Sequence, residues 1–408
     1  MTRRVVIVGT GMVTPFGESW DENKKGYLSC QNAVRYMHEW DDIDGLVSRL
    51  AAPCDNFVAP SHYTRKKTRS MSRVSVLSTR ASEIALTQAG LIDDPLLKSG
   101  RCGIAYGSSF GSSEAILDFV SILTNKSTGD LTANSYVKMM PQTTAVNIAL
   151  FFGITGRIIP TCTACTSGSM AIGYGYEAIK FGLQDVMLCG GAEELTVGDV
   201  GVFDTMYATS SKNDTPALTP APFDKERDGL VIGEGAGTVI LEEYEHAKAR
   251  GANILGEIVG FATNCDATHI TAPNMETMQI CIDSSVKDAG IDKAQIKYIS
   301  AHGTATSRGD VAETKATYNV FGNAPYVSTL KGYFGHTLGA CGAIEAISGL
   351  YMMNEGWFTP NLNLKNVDPE CGDLNYIKDE PLNLETEFIQ SNNFAFGGIN
   401  TSLIIKRV

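Results

Sequence analysis

No stretch of this 408-residue chain reaches the run of about 18 apolar residues that a membrane-spanning helix needs, because Gly, Ser and charge interrupt every apolar segment. No short-period repeat and no low-complexity linker is present either. The ten cysteines, scattered from Cys30 to Cys371, lack the density and spacing of a disulfide framework, so a reducing cytoplasm is the expected setting. Excess positive charge is also missing. A formal net charge of -12 argues against general nucleic-acid affinity, which needs clustered Lys and Arg. The N-terminus imitates a signal peptide only faintly: its apolar run meets Thr14-Pro15 with no small-residue cleavage pattern, and it reads as a first buried strand. Cys162-Thr-Ala-Cys165 has the spacing of a redox dithiol, but no second such pair exists to build a zinc site, and no metal is expected.

What is present is material for a large core, with 43% hydrophobic and 19% charged residues. Short β-branched runs at 5–8, 103–106, 186–189, 297–300 and 327–330 predict buried strands. Helical patterns at 74–89, 169–181, 275–289 and 343–354 lie between several of them, which makes the class layered α/β. Helix-ending chemistry at Glu245 to Gly251 suggests two units, 1–250 and 251–408. The proline-containing polar stretch 210–229 reads as an excursion over the surface. Gly9-Thr-Gly11 follows a strand like a dinucleotide fingerprint, but Thr14 stands in place of the third glycine and Pro15 comes next. One basic run, Arg65 to Arg73 with Lys66 and Arg69, is either a solvated helix face or a docking patch for an acidic partner.

Three residues carry the chemical signal. Cys165 lies where a strand passes through small residues into a helical pattern, and a helix N-terminus would lower its pKa and make a nucleophile; the plain alternative is a small cysteine that only packs. His302 stands just past a predicted strand and is followed by the hydroxyls of Thr304 and Thr306. His336 stands between glycines in Gly335-His336-Thr-Leu-Gly. Either histidine alone would more often be structural, but both fall at strand or loop ends, where α/β folds build their sites.

Five separated segments then resemble the elongating β-ketoacyl-[acyl carrier protein] synthases, in order over nearly the whole chain. They are Thr163-Ala-Cys165-Thr-Ser-Gly168, Pro222 to Gly237, Ala301-His302-Gly-Thr-Ala-Thr306, Lys331 through His336, and Asn393-Phe394-Ala395-Phe396-Gly-Gly-Ile-Asn400. The resemblance implies the thiolase fold: duplicated βαβαβ halves in a five-layered α-β-α-β-α body that dimerises, with itself or with a related subunit. It implies that Cys165 carries the acyl chain, that His302 and His336 drive loss of CO2 from a malonyl thioester, and that the amides of Cys165 and Phe396 form an oxyanion hole. Lys331 and Glu345 match supporting positions. Thr304 and Thr306 match residues on the phosphopantetheine arm, His269 and Thr271 resemble an entrance loop, Phe394 belongs to the gate, and Phe110 matches a position along the acyl pocket. No resident cofactor is implied; the arm arrives on an acyl carrier protein, for which Lys66 and Arg69 are the docking candidates.

The departures from the family pattern are Ala395 and Ile399 in the gate and Leu230 after Arg227-Asp-Gly. They resemble the branch found with aryl-polyene pigment clusters. A non-catalytic chain-length partner of the same fold would lack the nucleophile and the histidines. A degradative thiolase would use a second cysteine as its base, and an initiating synthase a Cys-His-Asn set.

Overall fold

The computed structural model describes residues 2–129 and 131–408. Its first half is β1 (Val5–Val13), α1 (Arg73–Gln88), β2 (Cys102–Gly107), α2 (Thr143–Phe152), β3 (Ile158–Thr161), α3 (Ser167–Lys180), β4 (Val186–Glu193) and β5 (Gly235–Glu243). The second half repeats the series with β6 (Gly256–Cys265), α4 (Met275–Ala289), β7 (Ile296–Ser300), α5 (Ser307–Phe321), β8 (Tyr326–Ser328), α6 (Cys341–Glu355), β9 (Phe388–Ala395) and β10 (Ile399–Lys406). Strand order is β3-β2-β4-β5-β1 in the first half and β8-β7-β9-β10-β6 in the second, so the topology is duplicated strand for strand. In each half the first three strands of that order are mutually parallel and the last two join antiparallel. Val5 to Ile7 of β1 pair with Gly256 to Ile258 of β6, which links the halves.

Side-chain alternation explains the layering. Val5 and Ile7 face a core shared with Leu403 and Ile405 of β10, whereas Val6 and Val8 face a second core with Leu77, Ala81 and Ala85 of α1. Ile404 joins a third core with Ile282 and Val286 of α4 and Val320 of α5. Strands covered on both faces read as unbroken apolar runs, as these do. α3 and α6 pack on each other and on strands of both halves, while α1 and α2 cover one outer face and α4 and α5 the other. Five layers result. α6 is buried nearly all round, the pattern of a helix with no solvent face.

Gly9 and Gly11 owe their place to packing. A Cβ at either would approach Ala85 O to 2.3 Å or Ala81 O to 2.1 Å, so β1 lies against α1 closer than any side chain allows.

Two expectations need correction. The strand expected through Leu330 ends at Ser328, where the Thr329 amide turns to Asn361 Oδ1 at 3.0 Å and a short helix, Lys331–Phe334, begins. The stretch 210–229 is a surface excursion only in part: 211–218 runs over the surface, but the chain dives back into the protein on either side of it. Ser210, Thr219 and Phe223 are fully buried, and the Phe223 amide donates to Asp310 Oδ2 at 2.8 Å in the second half.

Candidate active site

Both halves deliver a residue to one point. β3 leads into α3 through a turn at Ala164–Thr166, in which Ala164 takes φ +51°, a left-handed conformation that costs an L-residue roughly 1–2 kcal/mol. Three local bonds hold that turn: Thr166 Oγ1 to Thr163 O at 2.7 Å, Ser167 Oγ to Ala164 O at 2.7 Å, and Thr163 N to Ser167 Oγ at 3.0 Å. Cys165 therefore sits just ahead of α3. His302 follows β7, and its amide and that of Gly303 both donate to the buried Glu313 carboxylate of α5, at 2.6 and 2.7 Å. His336 follows Gly335, where φ is +69° and a Cβ would lie 2.5 Å from Val231 O. Its backbone is stitched to the first half by His336 N to Val231 O at 2.7 Å and Gly233 N to His336 O at 2.9 Å.

The Cys165 sulfur and one ring nitrogen from each histidine lie within 4.8 Å of one another, all three residues buried. The imidazole centroids are 5.1 Å apart with planes at 86°. Burial, the Lys331 ammonium and, for His302, the neighbouring His336 hold both histidines well below their usual range, so both are neutral at pH 7. Sulfur with two imidazoles is also a zinc-type donor set, yet the Lys331 charge that keeps these rings neutral works equally against a cation here.

Asn393 decides the His302 tautomer. Its Nδ2 donates to Glu345 Oε2 at 2.7 Å, which fixes the amide's orientation, and lies 3.4 Å from His302 Nδ1. A donor at Nδ1 leaves the ring proton on Nε2. His336 has no side-chain partner: both ring nitrogens are buried and unbonded. Buried polar atoms are nearly always paired, and since His336 lines the cavity its ring is open to a ligand there.

Lys331 and Glu345, 1% and 2% exposed, meet at 2.5 Å behind the histidines. Burial acts to lower Lys331, but Glu345 outweighs it and the ammonium stays above its ordinary range. Lys331→Met is expected to destabilise the protein by about 3–5 kcal/mol in urea unfolding at pH 7, since it strands the Glu345 charge; a Lys331→Met, Glu345→Leu double variant should recover most of that loss.

Cys165 corrects an expectation. Burial at 4% exposure pushes its thiol up to about 11, and the downward pulls of Lys331 and of the Phe396 and Cys165 amides do not offset this. The expected thiolate at a helix start is replaced by a resting thiol, because the sulfur lies in an apolar cluster with Leu230, Ile232 and Leu338. The two amides nonetheless act on the sulfur from close by, on the side where an oxyanion on an attached acyl carbon would need donors.

A cavity of about 470 Å³ opens onto this trio, lined also by Thr304, Thr306, His269, Thr271, Phe394 and Phe396. His269 Nδ1 accepts from the Thr271 and Ala272 amides at 3.1 Å each, which shapes the entrance loop. Ala395 ends β9 outside the left-handed region, and it is Gly397 and Gly398, at φ +84° and +73°, that make the turn. Phe110 stands apart from that cavity, 43% exposed, so its expected place along the acyl pocket is not seen within this chain. Lys66 and Arg69 are exposed at the short helix Arg65–Thr68, away from the cavity lining.

Sequence reading missed Asn393, Glu313 and Glu193. Glu193, pushed up to about 7 by burial, accepts from Ser108 Oγ, the Ser109 amide and the Gly339 amide at 2.6, 2.7 and 3.0 Å, tying two loops beside the site. A carboxylate at the end of an apolar strand was the available signal.

Comparison with known proteins agrees with this geometry. The N-terminal domain profile of β-ketoacyl synthases matches residues 2–247 and the C-terminal domain profile residues 255–365. A 3-oxoacyl-[acyl-carrier-protein] synthase 2 from Synechocystis is 36% identical over 411 residues, covering 99% of this chain and 98% of the relative. The crystal structure of a β-ketoacyl synthase from Burkholderia phymatum superposes with TM-score 0.98 at 55% identity over the whole of both chains. A type II polyketide ketosynthase in complex with its acyl-carrier protein superposes at 0.89 with 29% identity, again over all of both chains. With a duplicated five-layer body matched along its whole length, this chain belongs to the β-ketoacyl synthase family.

Proposed function

We propose that this protein joins an acyl thioester to a malonyl thioester by decarboxylative Claisen condensation, with both substrates carried on an acyl carrier protein. The observation that carries the reading is His336, whose two buried, unbonded ring nitrogens lie beside the His302 ring and the Cys165 sulfur. Cys165 attacks the acyl thioester carbon, the carrier leaves as its thiol with the cysteine proton, and an acyl-Cys165 remains. The malonyl thioester then places its carbonyl oxygen between the two imidazoles. Its carboxylate leaves as CO2, and the bonding pair becomes an enolate that neutral N–H donors stabilise. The enolate carbon attacks acyl-Cys165; the Cys165 and Phe396 amides hold the oxyanion until the Cys165 thiolate is expelled and takes the one proton the reaction consumes from water. No resident cofactor or metal enters this balance.

A polyene-type acyl chain is assigned from Ala395, Ile399 and Leu230, the positions at which this chain departs from the family's gate pattern. Incubating the protein with a panel of acyl carrier thioesters and malonyl carrier, with products identified by mass spectrometry, tests both. A two-carbon-longer β-ketoacyl product is expected; hydrolysis alone would overturn the reading.

Carrier docking is assigned to Lys66 and Arg69, exposed cations in a chain of net charge -12. Replacing both with Glu should raise KM for malonyl carrier by about tenfold, with salt reducing the difference, and leave a small thioester mimic unaffected. An equal effect on both substrates would remove docking as the cause. Dimerisation, with a second copy or a related subunit, is assigned to the edge beyond β3, where Ile158 is 40% exposed on an outermost strand of the sheet. The units 1–250 and 251–408 are proposed to fold as one body, because α3 and α6 each pack on strands of both.

A further inference from the structure

Among the charged residues lining the cavity, one differs from the rest. Arg227 is neutralised by Asp310 at 3.5 Å and Asp368 at 2.6 Å and braces the backbone carbonyls of Thr306 and Ser307. Asp228 holds Ser210, Ser211 and Lys212; Asp266 holds Thr277, Asn274 and Asn400; Glu313 holds two amides. Arg308 lines the same cavity, is exposed, and has neither an ion pair nor a side-chain hydrogen bond among the described residues.

Its position sharpens the question. Arg308 is the second residue of α5, and a cation in a helix's first turn works against the helix dipole. The chain places it two residues beyond Thr306, whose hydroxyl meets that of Thr304 at 2.9 Å, along the wall that ends at His302. A substrate reaching His302 from solvent must pass these hydroxyls, and its outer end then lies by the guanidinium.

We propose that Arg308 binds the phosphate of the carrier's phosphopantetheine arm at the cavity mouth, and so contributes to choosing a phosphorylated, carrier-borne substrate. The guanidinium is a planar, always-charged fork suited to phosphate oxygens, and Arg227 keeps the loop beneath it in place without competing for the anion. This role rests on the condensation reading given above.

The test compares malonyl-pantetheine, malonyl-coenzyme A and malonyl carrier as extenders, on wild-type protein and on Arg308→Gln and Arg308→Lys. Arg308→Gln should raise KM about tenfold for the two phosphate-bearing extenders with kcat unchanged, and leave malonyl-pantetheine unaffected, while Arg308→Lys recovers part of the loss. Four outcomes overturn the proposal: no change, an equal change for all three, a change for the carrier alone, which would mean contact with the carrier's own side chains, or a change for coenzyme A alone. Failure of condensation itself is seen separately, as wild-type protein extending none of the three.

Discussion

Cys165→Ala is expected to abolish condensation, by on the order of 10⁶-fold and down to the detection limit, while still releasing CO2 from malonyl carrier. Removal of the sulfur deletes the atom that holds the acyl chain, and no other thiol stands within reach of both imidazoles among the described residues. Loss of the thiol leaves His302 and His336 neutral, and their N–H groups remain where enolate charge develops. Labelled malonyl and acyl carriers report the two halves separately. In the wild type, alkylation of Cys165 should speed up steadily as pH rises from 7 toward about 11, because burial holds the thiol protonated below that point and the thiolate is the reactive form. A labelling rate already at its plateau at pH 7 would contradict this, and condensation by Cys165→Ala would unseat the cysteine altogether.

Much of this arrangement was legible because it is local. Cys165, His302 and His336 each sit in a short glycine-rich motif whose spacing is visible in the chain, and the alternation of helix and strand patterns gave the layered class. What surrounds them was not legible, for physical reasons. The thiol's raised pKa comes from an apolar shell assembled from positions near 40, 200, 230 and 338, and desolvation by such distant neighbours leaves no local mark. Asn393 was visible within the gate motif, but its bond to Glu345 joins β9 to α6. Glu313 looks like an ordinary helix acid until its two amide donors are seen, and burial pushes it up to about 8. Stretch 210–229 has the composition of a loop, and its buried end at 219–224 is anchored by a distant residue, Asp310, which accepts from the Phe223 amide and pairs with Arg227.

His302→Ala and His336→Ala should each slow decarboxylation by about 10²–10³-fold, the loss measured when one oxyanion donor is removed, while Cys165 still becomes acylated. The two variants should differ in a way the structure specifies. His302 has its proton directed to Nε2 by Asn393, so Asn393→Ala, with the ring still present, should reproduce part of the His302→Ala defect by freeing the tautomer. His336 has no such partner, and no neighbouring side-chain substitution should mimic its loss in the same way. Restoring a donor tests the reasoning further. His336→Asn or His336→Gln, which keep an N–H without a titrating ring, should decarboxylate faster than His336→Ala, because neutral hydrogen-bond donation is the property required. Since both imidazoles are held far below their usual range, wild-type decarboxylation should stay level between pH 6 and 8 instead of falling as an ordinary histidine is protonated. A steep loss centred near pH 6.5, or wild-type decarboxylation in both alanine variants, would show that charge on the enolate is stabilised by some other group.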